Sequence, residues 1–147
     1  MGHKTLFPLI LALLVVACGP VPADEVARVS SPDRRVEAVL VEMNGGATTS
    51  FGCEVHLTEK GKTLGDRVAR LYGAVRNAHA YGADLKWKSD TVLVVEFLEA
   101  REQTFEKATV RIVGRDVRVF LAPGVLDPDA PAGGMFYNLQ LKKRGSE

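Results

Sequence analysis

The amino-acid sequence predicts a mainly β protein with a single small domain, and three observations support this fold class. Residues 36–43 are apolar at all but two positions, as in a central strand whose faces are both covered. Between residues 52 and 58, polar and apolar side chains alternate with the period of two that is typical of a strand. Turn-forming residues recur, as in Asn44-Gly45-Gly46, Lys60-Gly61-Lys62 and Gly114-Arg115-Asp116. We therefore expect one small antiparallel β-sheet domain, built as a sandwich or as a blade-like sheet.

Further strands are predicted in the second half of the chain. Two hairpins are expected over residues 85–97 and 110–121, because each range holds two strand-like segments on either side of a turn. Residues 136–141 are apolar at several positions and are expected to close the sheet as a last strand.

The segment of residues 66–81 fits two structures. Its apolar residues recur at helical spacing and Asp66 is a suitable N-cap, whereas Gly73 in the middle disfavours a helix. We expect a strand over residues 67–72 and a loop or one helical turn over residues 76–81. The fold should therefore contain at most one short helix, near residues 66–81.

The start of the chain has the pattern of a secretory signal peptide. Lys4 is its one formal charge, and an apolar run over residues 6–17 is broken only by Pro8. A membrane-spanning helix needs about 20 apolar residues, so this run is too short to remain as a span. Ala17 is the small residue that a cleavage site requires, and we expect residues 1–17 to be removed.

A cysteine follows this segment immediately, and Val15-Val16-Ala17-Cys18 resembles the bacterial lipoprotein box. The resemblance implies that the Cys18 sulfur receives a diacylglycerol, that the signal is cut before it, and that the new amino terminus is acylated, for instance with palmitate. The alternatives are a plain signal peptide with an incidental cysteine, or a short core helix that contains Cys18. Gly19 stands where such lipoproteins carry Asp for inner-membrane retention, which favours the periplasmic face of the outer membrane.

The mature chain should consist of a tether and one domain. Pro20 and Pro22 predict a tether over residues 18–28, and the β domain is expected over residues 29–147. Removal of the signal peptide would leave 130 residues with 18 basic and 18 acidic side chains. The densest basic run, Lys142-Lys143-Arg144, has three residues and lies at the end of the chain. This even balance disfavours nucleic acid as a partner.

Within the domain, Ser31-Pro32-Asp33, the strand that follows and the segment of residues 46–52 resemble a family of small uncharacterised exported bacterial proteins. The resemblance is strongest over residues 31–57 and implies a location in the cell envelope without any particular activity. Where the family pattern has Gly after the Asp, this chain has Arg34, which leaves the turn type open.

Candidates for catalysis or metal binding are scarce. If Cys18 is lipidated, Cys53 is the remaining thiol and has no disulfide partner within the chain. Strand alternation places Cys53 with Val55 and Leu57 on an apolar face and His56 on the other face, which disfavours a catalytic thiol. The chain also lacks the ligand spacing of zinc sites and the motif of an activated serine. We therefore predict no catalytic residue, no metal and no cofactor.

The segment with the strongest binding chemistry joins two predicted strands. Its glycines permit close backbone approach, Thr48, Thr49 and Ser50 offer hydroxyl groups, and Phe51 offers an apolar anchor. These four residues are the candidate binding site. Alternatively, the glycines only shape a wide turn or bulge and Phe51 packs on the core.

We expect a non-catalytic binding or envelope-interaction module, held on the membrane through the lipid on Cys18, with an envelope protein or a glycan as partner. An inhibitor or immunity-type lipoprotein that blocks an envelope-attacking enzyme is the alternative, and a hydrolase is less favoured. The sequence leaves the oligomeric state open.

Overall fold

The computed structural model describes residues 23–146 and shows a mainly β fold. The predicted signal peptide, Cys18 and residues 19–22 of the predicted tether lie outside the described residues. The described part of the chain forms nine strands and one helix, arranged as two sheets with a shared core between them.

Five strands form the first sheet and four form the second. The first sheet contains β1 (Ala23–Ser30), β2 (Val36–Asn44), β3 (Phe51–Glu59), β4 (Asp66–Tyr72) and β7 (Glu102–Phe105), in the order β1-β2-β3-β4-β7. The second sheet contains β5 (Asp84–Ser89), β6 (Val92–Phe97), β8 (Thr109–Ile112) and β9 (Arg115–Pro123), in the order β5-β6-β9-β8. The helix α1 (Met135–Arg144) follows β9.

The core lies between the sheets because each sheet contributes one apolar face. Leu40 and Val55 of the first sheet are fully buried, as are Val95 and Phe97 of the second. Burying a large aliphatic side chain in this way contributes about 1.5–3 kcal/mol. Val39, on the outer face of β2, is also buried, so β2 is covered on both sides. Of the two predicted arrangements, the chain adopts the sandwich.

Most of the predicted strands are confirmed. β2 contains the apolar segment of residues 36–43, and β3 contains the alternating segment of residues 52–58. The two predicted hairpins correspond to β5-β6 and β8-β9. β4 confirms the strand over residues 67–72, and residues 76–81 form a loop.

The predicted end of the tether at residue 28 is wrong, because residues 23–28 belong to β1. This strand pairs antiparallel with β2, and its Val26 is buried. Asp24 and Glu25 interrupt the apolar pattern, so the sequence hides the strand. The backbone N–H and C=O groups along this edge of β2 are buried unless they pair with another strand, and their hydrogen bonds hold residues 23–28 in the sheet.

The predicted closing strand at residues 136–141 is also wrong, because these residues belong to α1. The position expected for a helix, near residues 66–81, is wrong as well, because the helix of the described residues is α1. Glu42 of β2 accepts hydrogen bonds from the backbone N–H groups of Met135, at 2.7 Å, and Phe136, at 3.3 Å. The carboxylate therefore caps the first turn of the helix. Because the cap comes from a strand 93 residues earlier, the local pattern does not reveal it.

The expectation of purely antiparallel pairing fails in the second sheet, where β6 and β9 pair in parallel. After β6 the chain crosses to the edge of the first sheet as β7 and returns to the second sheet as β8. This crossover lets β9 lie beside β6 with the same direction.

The strands run between two ends of the sandwich, which we name by their connections. The turn end carries residues 31–35, 60–65, 90–91 and 113–114. The loop end carries residues 45–50, 73–83, 98–101 and 124–134, together with α1 and the start of β1. All four predicted binding residues lie at or beside the loop end.

Candidate binding site at the loop end

The loop of residues 45–50 is shaped by its own hydrogen bonds. Asn44 Oδ1 accepts a bond from the Gly46 N–H at 3.0 Å. Gly46 has a φ of 103°, a conformation that residues with a side chain rarely adopt. Its carbonyl accepts bonds from both the N–H and the Oγ1 of Thr49, at 3.2 Å each. The loop is therefore a compact turn that leaves the side chain of Thr48 exposed.

Thr49 and Ser50 line a groove of about 400 Å³ beside β4. The Ser50 N–H donates a hydrogen bond to the Tyr72 hydroxyl at 3.1 Å, which holds the loop against the strand. Ser50 Oγ makes no hydrogen bond to another described residue, so it is free to bind a ligand. We call this the hydroxyl groove, and the rest of its wall consists of Met43, Gly45, Gly52, Arg70, Leu71, Tyr72 and Glu102.

Phe51 and Thr48 do not share that groove. Phe51 lies in a second groove, of about 510 Å³, beside α1. Its ring centroid lies 5.0 Å from that of Tyr81, and a Cβ added to Gly134 would lie 3.0 Å from its ring. Phe51 therefore packs against other parts of the protein, as expected if the segment serves only to shape the turn. Thr48 lines neither groove, so the structure brings together only Thr49 and Ser50 of the four predicted residues.

Arg70, in the wall of the hydroxyl groove, belongs to an ion-pair network. Glu54 Oε1 lies 2.7 Å from Arg70 Nη2 and 2.9 Å from Arg67 Nη1, and Oε2 lies 3.1 Å from His56 Nε2. Burial opposes ionisation of Glu54, but hydrogen bonds from Arg70 and His56 and the charge of Arg67 hold its pKa below the usual value. The ionised carboxylate therefore keeps the Arg70 guanidinium at the edge of the groove.

Two buried charged residues that the sequence analysis missed support the loop end. Burial raises the pKa of Glu42, although the two N–H groups of α1 partly offset this effect. Arg76 is buried, and its Nη1 lies 3.6 Å from both Asp84 Oδ1 and Asp127 Oδ2. One of these residues could have been found from the sequence: Glu42 is a charged residue within an apolar strand, and a buried charge requires polar partners.

The thiol of Cys53 is poorly placed for catalysis. The residue is 1% exposed, and burial raises the pKa of its thiol to about 12. His56 lies on the opposite face of β3, where its ring contacts Glu54. Within residues 23–146, no three His, Cys, Asp or Glu side chains are grouped so that they could hold a metal ion.

The hydroxyl groove is thus the best candidate site, since it combines two hydroxyl groups, an aromatic side chain and charges of both signs. Neither protein-family models nor curated proteins nor solved structures give a significant match to this chain. The chemistry of the site therefore has to be argued from its own residues.

Proposed function

We propose that the protein is a lipid-anchored, non-catalytic binding module of a bacterial envelope, which holds an envelope protein or a glycan in the hydroxyl groove. Anchoring rests on the lipoprotein box that ends at Cys18, with the periplasmic face of the outer membrane as the favoured location. The observation that carries the binding role is the convergence of Thr49 and Ser50 with Tyr72 and Arg70 on one open groove.

The composition of the groove suits a polar ligand that is partly apolar on one side. Hydroxyl groups both donate and accept hydrogen bonds, and the Tyr72 ring offers an apolar surface with a polar tip. Arg70 and Glu102 add a donor group and an acceptor group of opposite charge. A sugar chain or an extended peptide presents this mixture of hydroxyl or amide groups and apolar faces.

The strand that follows the proposed anchor begins beside the groove. Ala23 begins β1 and pairs with Met43, which lines the groove. Four residues separate Cys18 from Ala23, and the five Cα–Cα steps that join the two span roughly 17 Å when fully extended. A lipid on Cys18 would therefore hold the loop end near the membrane surface, where envelope components are concentrated.

The anchor is tested by the variant Cys18→Ser. We expect the variant to leave the detergent-phase membrane fraction, and we expect mass spectrometry of the parent to find diacylglycerol on Cys18. Normal membrane retention of the variant would contradict the anchor.

The groove is tested by crosslinking in intact cells followed by mass spectrometry. A photoreactive side chain at Glu102, exposed on the edge strand β7, should capture an envelope component, whereas the same group at Lys60 of the turn end should not. Thr49→Ala should weaken capture while changing the free energy of unfolding by less than about 0.5 kcal/mol, whereas Thr48→Ala, outside both grooves, should leave capture unchanged. Equal capture from both positions would contradict the groove and make residues 122–134 the next candidate surface.

A further inference from the structure

The helix α1 exposes apolar side chains on several sides. Tyr137 is 59% exposed and Leu141 is 45% exposed, and Phe136 and Leu139 also have exposed side chains. None of its residues is buried. Apolar side chains that are grouped and exposed on one element mark a surface that contacts another protein or a membrane.

The same helix is cationic at its end. Lys142, Lys143 and Arg144 form its last turn, and the helix contains no acidic side chain. None of these three cations forms an ion pair with another described residue. A short helix that carries exposed aromatic and aliphatic side chains, together with cations that have no ion-pair partner within residues 23–146, matches the chemistry of an anionic lipid surface.

The position of α1 points to the same surface. The helix packs beside β1, and Asp24 at the start of β1 lines the second groove together with Tyr137 and Arg144. Four residues lie between Cys18 and Ala23, and the five Cα–Cα steps that join the two can reach roughly 17 Å at most. A lipid on Cys18 would therefore bring the bilayer within reach of α1, whereas the turn end lies at the far end of the strands.

We propose that α1 docks on the surface of the anchoring bilayer, with its apolar side chains among the lipid headgroups and its three cations on anionic phosphates. This inference rests on the proposed lipid anchor at Cys18. The helix is too short to cross the membrane, and no helix within residues 23–146 is long and apolar enough to do so. The anchor makes docking an intramolecular event, so a weak affinity of the helix for lipid is sufficient. Docking orients the domain so that the loop end faces the membrane and the turn end faces away.

The test uses the lipidated protein, cleaved before Cys18 and reconstituted in vesicles of phosphatidylethanolamine and phosphatidylglycerol. An environment-sensitive dye is attached at Leu141→Cys, with Lys60→Cys at the turn end as the matched control. Cys53 is buried and Cys18 is acylated, so each variant carries one reactive thiol. We expect the dye at position 141 to be protected from aqueous iodide and quenched by lipid-borne quenchers, and the dye at position 60 to behave in the opposite way.

A charge variant tests the role of the cations. Lys143→Gln should shift the equilibrium between protected and accessible dye by roughly five-fold towards the accessible form, because each cation near an anionic surface favours binding. Lys60→Gln should leave that equilibrium unchanged. Vesicles of phosphatidylcholine should weaken protection in the parent, and equal protection in neutral and anionic vesicles would overturn the role of the cations.

The other outcomes separate the two proposals. Iodide access at position 141 equal to that at position 60 would overturn docking, even with diacylglycerol found on Cys18. Protection that grows with the ratio of protein to lipid would assign the helix to a second copy of the chain and overturn docking as well. An N-terminal peptide without diacylglycerol on Cys18 would instead overturn the anchor, whatever the dye reports.

Discussion

The two ends of the sandwich are held together in different ways. At the turn end, Asp33 accepts hydrogen bonds from Ser31 at 2.7 Å and from Arg115, and its own N–H donates to Asp90 at 2.9 Å. Asp33 and Ser31 belong to a turn of the first sheet, whereas Asp90 lies in a turn of the second sheet and Arg115 begins β9 of that sheet. One carboxylate therefore fastens the two sheets together where their connections are short.

The loop end has longer connections and looser surfaces. Its charged residue Glu42 is buried and caps a helix, and both large grooves open there. Six of the nine large apolar side chains exposed among the described residues lie at this end, four of them in α1. The turn end is therefore tied by polar contacts between the sheets, whereas the loop end exposes the grooves and the apolar side chains on which the proposed binding rests.

The largest expected effect concerns the interior just below the loop end. Because the pKa of the Cys53 thiol is raised from 9.0 to about 12, its reactive thiolate is on the order of 10³-fold rarer than in the unfolded chain. A thiol reagent at neutral pH should therefore modify Cys53 at least that much more slowly in the folded protein than in denaturant. Similar rates would show that the loop end opens easily down to β3.

A matched pair of glycine substitutions compares the rigidity of the two ends. A Cβ at Gly65 would lie 2.1 Å from the Leu57 carbonyl oxygen, so Gly65→Ala requires a backbone shift at the turn end. We expect a loss of about 3 kcal/mol in urea unfolding. At the loop end, Gly45→Ala meets the exposed Thr49 Oγ1 at 2.6 Å, which can rotate away, so the loss should stay below about 1 kcal/mol. Equal losses would contradict the contrast.

A rise in pH should increase the free energy of unfolding through Asp33 at the turn end and decrease it through Glu42 at the loop end. Hydrogen bonds from Arg115 hold the pKa of Asp33 below its ordinary 3.8, so its stabilisation is present above pH 3.8 and is lost as the pH falls further. Burial raises the pKa of Glu42 above its ordinary 4.5, so the folded chain binds more protons than the unfolded chain above pH 4.5. Stability should therefore decrease as the pH rises from 4.5 through the raised pKa of Glu42.

Unfolding by urea across this pH range checks both signs. Asp33→Asn should remove much of the loss below pH 3.8 and Glu42→Gln should remove the decrease above pH 4.5. A pH profile that neither variant alters would show that other groups control the acid response.

The smallest expected effect is in the first turn. Arg34 has a φ of 60°, in the left-handed region that favours glycine, so this chain keeps the backbone conformation that a glycine would adopt. Arg34→Gly should raise the free energy of unfolding by about 0.5–1 kcal/mol, because relief of that strain exceeds the added freedom of the unfolded chain. The neighbouring Arg35→Gly, at an ordinary φ, should lower it instead. A loss of stability in both variants would mean that Arg34 is not strained.

Local patterns in the sequence predict those parts of the fold whose signal lies in neighbouring residues. The alternation around Cys53 and the apolar run of β2 predict strands because the period of two and the burial of both faces are written in neighbouring residues. Thr49 and Ser50 were found for the same reason, since hydroxyl groups beside glycines in a connection between strands indicate an exposed loop.

Features that join distant segments depend instead on contacts that exist only in the folded chain. Residues 136–141 are helical because the Glu42 carboxylate, distant in sequence, accepts the N–H groups of the first turn. Phe51 turns away from the hydroxyl groups because the Tyr81 ring and the backbone of Gly134 form its packing site. These partners lie tens of residues apart along the chain, and only the folded backbone brings them within contact distance.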